Sequence, residues 1–82
     1  MIEVKIGNIN TLHKGDIFMT KSALQLVSPM YYRFIRTSDE SVEVYSLDSN
    51  FKINSVRCWI VISAFETRAK YGELFILKEN EE

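Results

Sequence analysis

The chain holds one histidine and one cysteine. Histidine is the side chain that changes charge near neutrality, and His13 stands beside Lys14 and Asp16, so the trio has the makings of a general base steered by a carboxylate, as in a small nuclease or hydrolase. No nucleophile pattern accompanies it, however. The run His13-Lys14-Gly15-Asp16 is a turn signal, and His13 reads as a polar turn residue. Cys58 opens the longest apolar run, Cys58 to Ile62, where a thiol packs as a small hydrophobe. One Cys and one His cannot supply the three or four ligands of a zinc site. Gly7, Gly15 and Gly72 are too scattered for a phosphate loop or a dinucleotide fingerprint. The expectation is therefore a non-enzymatic chain with neither cofactor nor metal.

One constellation stands above this background. Tyr31, Tyr32, Arg33, Phe34, Arg36 and Tyr45 interleave aromatic rings with guanidinium groups along two adjacent segments. Aromatic and arginine side chains dominate protein interface hot spots. The same pairing also binds single strands, each ring stacking a base for about 1–3 kcal/mol while arginines meet phosphates. In that second case Lys52, Arg57, Arg68 and Lys70 add phosphate contacts. The competing structural reading puts Tyr32 and Phe34 in the core, with Tyr45 covering its edge.

Charge weighs between these uses. Ten Lys and Arg stand against eleven Asp and Glu, a net charge of −1. Met1 to Arg36 and Lys52 to Lys70 are basic, whereas Thr37 to Phe51 and the end of the chain are acidic, Glu79-Asn80-Glu81-Glu82 reading as a solvated, disordered tail. So even a balance does not demand nucleic acid. A small inhibitor or adaptor that binds a protein partner is the leading expectation. An RNA or single-stranded nucleic-acid binding regulatory module is the alternative, and a structural subunit of a homo-oligomer is a further one.

These side chains need strands to position them. Ile2-Glu3-Val4-Lys5-Ile6 alternates apolar and charged residues at a period of two, the mark of a half-buried strand. A second strand follows the Gly15 turn. Ser22 to Val27 is ambiguous between an extended segment and one helical turn, and Ser28-Pro29 ends it. Met30 to Arg36 and Val42 to Leu47 are rich in aromatic and β-branched residues and flank a polar loop, a hairpin signal. A four-residue loop pairs Thr37 with Val42, Arg36 with Glu43 and Phe34 with Tyr45, placing Tyr32, Phe34, Arg36 and Tyr45 on one face. A three-residue loop sets Phe34 opposite Val44 instead. Phe51 to Ile53 reads as a short strand. Val56 to Ile62 reads as a central strand covered on both faces, because Cys58, Ile60 and Ile62 alternate with Trp59 and Val61. Ser63 to Glu66 fits a capping box, predicting a short helix over 64–71 that Gly72 stops and that could cover Trp59, Val61, Phe75 and Leu77. Glu73 to Lys78 closes the fold.

Six or seven strands in 82 residues describe a single small, mainly β domain over 1–78. Lys14-Gly15-Asp16-Ile17-Phe18 resembles the opening of SH3-like barrels, which implies an antiparallel SH3-like barrel or a strongly bent sheet. A lone cysteine favours a reducing, cytoplasmic setting. Met1 to Gly7 lacks the apolar centre of a signal peptide, and no run approaches the length needed to cross a bilayer. The expected partner is a protein, with nucleic acid possible, no membrane, and a homodimer as one way to bury both faces.

Overall fold

Alternation at a period of two becomes antiparallel pairing throughout. In the computed structural model, which describes residues 2–22 and 28–79 but not the side chains of Ser55 and Val56, six strands and one helix follow in order. They are β1 (Ile2–Lys5), β2 (Ile17–Thr20), β3 (Met30–Thr37), β4 (Ser41–Leu47), β5 (Ile53–Val61), α1 (Ile62–Lys70) and β6 (Leu74–Lys78), with a 3₁₀ turn at Ile9–Thr11. The strands form one antiparallel sheet in the order β1-β6-β2-β3-β4-β5. Its edges, β1 and β5, do not meet, so the sheet is bent and open rather than a closed barrel. The ambiguous stretch at 23–27 and residues 80–82 of the acidic tail lie outside the described residues.

The core sits between one sheet face and α1. Phe18, Phe34, Val42, Val44, Leu74 and Ile76 point from the strands toward Phe65 and Ala69 of the helix, and Ile6 and Leu12 close the cluster. Phe18 stacks on Tyr32 with ring centres 5.4 Å apart and meets Phe65 edge-on at 5.7 Å. Leu74 and Ile76 face inward as their alternation requires.

Four expectations are corrected. Val56 to Ile62 does not run through the middle of the sheet: among the described residues β5 pairs only with β4. The helix packs on the face of Phe18 and Phe34, leaving Trp59 and Val61 62% and 58% exposed on the other. Phe51 is not part of a separate strand. It sits at φ 64° in the turn that Asp48 organises by accepting from Asn50 N–H at 2.8 Å and Lys52 N–H at 3.0 Å, its ring edge-on to Tyr31 at 5.1 Å. The capping box does not form either. The helix begins at Ile62, with Val61 as its N-cap and no side-chain capping bond, while Ser63 uses its carbonyl to accept from the Thr67 hydroxyl.

The helix stop does form. Gly72 adopts φ +71°, its N–H donating to Ala69 O at 3.0 Å, and Glu73 N–H donates to Arg68 O at 3.0 Å. That pair of bonds is a Schellman motif, which satisfies the last carbonyls of α1. A Cβ at Gly72 would meet Lys5 Nζ at an ordinary 3.4 Å, so the site excludes a side chain by conformation and not by space. Gly72→Ala should cost about 1 kcal/mol and lower the melting temperature by about 4–8 °C, read in a thermal melt; an unchanged melt would mean that the turn relaxes freely.

Candidate functional site

The hairpin positions the predicted residues, but a one-residue bulge divides them. Thr37 pairs with Val42 and Arg36 with Glu43, whereas Phe34 pairs with Val44 and Arg33 with Tyr45; the register shifts at Ile35. The tip thus follows the four-residue-loop pairing and the base follows the other. The predicted Phe34–Tyr45 pair is not made, because a residue inserted on one strand inverts the alternation beyond it. Phe34 goes into the core, only 7% exposed, and half-buried Tyr32 lies on the same face against Phe18. Arg33, Arg36 and Tyr45 remain together on the outer face.

Register across β4 adds β5 to that face. Arg33, Tyr45 and Arg57 form one cross-strand row, and Arg36, Glu43 and Trp59 form the next. Glu43 is 2% exposed, although it faces outward, because two guanidinium groups cover it. Arg36 Nε donates to Oε2, and Arg57 Nη1 donates to Oε1 at 2.6 Å. Each carboxylate oxygen holds a different arginine. Hydrogen bonds from Arg57 and then Arg36 hold the Glu43 carboxyl below the usual carboxylate range, outweighing the opposing effect of burial. Glu43 in turn raises Arg57 above its ordinary value, with a smaller contribution from Tyr45.

The other predicted contacts are dispersed. Lys52 is exposed in the β4–β5 turn, and Lys70 is exposed on α1. Arg68 lies 3.9 Å from Glu73 Oε1 and borders a cavity of about 310 Å³ lined by Met30, Tyr32, Phe65 and Leu74 on the helix side of the sheet, which reaches the β5 edge at Trp59. Burial, partly offset by Arg68, raises the Tyr32 hydroxyl above its ordinary value. Tyr31 is half-buried against Phe51. The basic segments therefore meet through Arg33, Arg36 and Arg57, while Arg68 and Lys70 belong to the helix.

His13 is exposed, its Nδ1 3.8 Å from Asp16 Oδ2, and the same Asp16 oxygen accepts the His13 backbone N–H at 2.8 Å. The carboxylate thus holds the turn before β2. Among the described residues no three of His, Cys, Asp and Glu are grouped to hold a metal ion, and no helix is long and apolar enough to cross a membrane.

Sequence reasoning paired Glu43 with Arg36 alone and left Trp59 apart from the arginine cluster. The signal that joins them is the alternation Arg57, Trp59, Val61 read against Arg36–Glu43, once β4 and β5 are known to be neighbours. Comparison of the chain with protein-family models, with curated proteins and with solved structures finds no match.

Proposed function

We propose that the chain is a non-enzymatic binding module that engages another protein through the outer face of β3, β4 and β5, acting as a small inhibitor or adaptor. The observation that carries this reading is the buried Glu43 carboxylate, which fixes Arg36 and Arg57 beside Tyr45 and exposed Trp59. Guanidinium groups held in one geometry lose less freedom on binding than free side chains do. Arg, Tyr and Trp are also the residues that carry interface energy. Three arginines against one carboxylate favour an acidic partner surface.

The convergence of Arg33, Arg36 and Arg57 with two aromatic rings keeps single-stranded nucleic acid as a second reading. The two readings separate in one experiment. Tagged chain recovered from cells that make it should carry a stoichiometric protein companion and a protein-like ratio of absorbance at 260 and 280 nm, and Arg33→Glu with Trp59→Ala should release that companion. A high ratio that falls with nuclease and with salt would replace the protein reading by the nucleic-acid one.

A further inference from the structure

The two edges of the sheet differ in kind. Ile6 N–H donates to the directly opposite Leu74 carbonyl at 2.9 Å, which sets the phase of the β1–β6 ladder. The outward backbone groups of β1 are therefore those of Glu3 and Lys5. A short edge with charged residues at its outward positions is protected against added strands. On the other side, Ile62 N–H donates to the opposite Glu40 carbonyl at 2.9 Å, so Ile60 and Cys58 turn toward β4 while Arg57, Trp59 and Val61 turn outward. The N–H groups of those three residues and the carbonyls of Arg57 and Trp59 face away from β4. This edge belongs to a nine-residue strand, and Trp59 and Val61 are apolar and exposed.

Resting on the protein-binding reading above, we infer that β5 recruits its partner as an added strand: an extended, acidic segment of another polypeptide pairs with Arg57–Val61 and lays carboxylates beside the Arg57 guanidinium, at the edge of the Arg36–Glu43–Arg57 cluster. One face of the incoming strand then meets Arg57, and main-chain hydrogen bonds supply the alignment. A second copy of this chain fits less well. Antiparallel self-pairing of Arg57–Val61 sets Arg57 opposite Val61 and Trp59 opposite Trp59, so a second copy brings no carboxylate to the arginines.

Val61 gives the edge a selective test. Its φ of −59° is one that proline adopts, and its N–H points outward, so Val61→Pro removes an edge donor while sparing the β4 ladder. The probe is a capped decapeptide of alternating Glu and Val, titrated against the full chain with Trp59, the single tryptophan, as the fluorescence reporter. Val61→Ala should bind within about threefold of the parent and Val61→Pro at least about tenfold more weakly. A peptide N-methylated at alternate residues should lose binding to the unaltered chain by a similar factor, a measurement that stands even if Val61→Pro fails to fold. Equal binding of methylated and unmethylated peptide, or no binding of either, overturns strand addition. The protein-binding reading survives that result if the companion captured from cells still depends on Arg33 and Trp59. A stable dimer that Val61→Pro dissociates would put a second copy in place of the acidic segment.

Discussion

Phe18→Ala should remove a large part of the chain's stability and, at the low end of the range for this length, unfold it. Phe18 is fully buried at the point where β2, β3 and α1 meet, and its ring contacts both Tyr32 and Phe65. Truncating a buried phenylalanine costs about 3–5 kcal/mol through lost transfer energy and the cavity left behind. A domain of this length has only about 4–12 kcal/mol in total. The measurement is the urea midpoint together with near-ultraviolet circular dichroism. Phe18→Leu, which retains most of the apolar volume, should recover much of the loss, and a Phe18→Ala midpoint within error of the parent would show that the core is not centred on this ring.

The second large effect is in the acid limb of stability. The folded-state value of Glu43 lies below its unfolded one, so the carboxylate contributes stability that is fully present above the unfolded value, about pH 4.3, and is lost as pH falls through the folded value. Glu43→Gln keeps the size of the side chain and removes its proton chemistry. Urea midpoints measured from pH 7 down to pH 3 should fall steeply for the parent and more gently for Glu43→Gln, the two curves converging at low pH. Parallel curves would mean that Glu43 titrates alike in both states and that its two arginines do not hold it.

Much of the architecture is legible in the residues. The polar loop between two β-rich segments gives the hairpin, the tip pairing of Arg36 with Glu43 follows from loop length, and Gly72 marks the helix end. The bulge is not legible, because Ile35 is half-buried and an apolar residue suits either side of the sheet. The edge position of β5 is hidden for a related reason. An apolar residue on a strand's second face has the same sequence signature whether it meets its own core or stands exposed. Trp59 and Val61 are exposed here because one short helix covers one face only. The candidate site was half visible: its arginines and Tyr45 were, but the Glu43 clamp and the neighbouring Trp59 required the strand order. Nothing local announces Phe51 at a positive φ, a conformation uncommon for a bulky residue.

The bulge also bears on how this hairpin tolerates changes of length. In an ordinary strand, losing one residue exchanges inside for outside along everything that follows. At position 35 the opposite holds: with Ile35 deleted, Phe34 would still face Val44, and Arg36 would still face Glu43, now as neighbours in an unbroken alternation. Related chains one residue shorter at this point would therefore keep the same buried and exposed sets, with a flatter sheet as the visible difference.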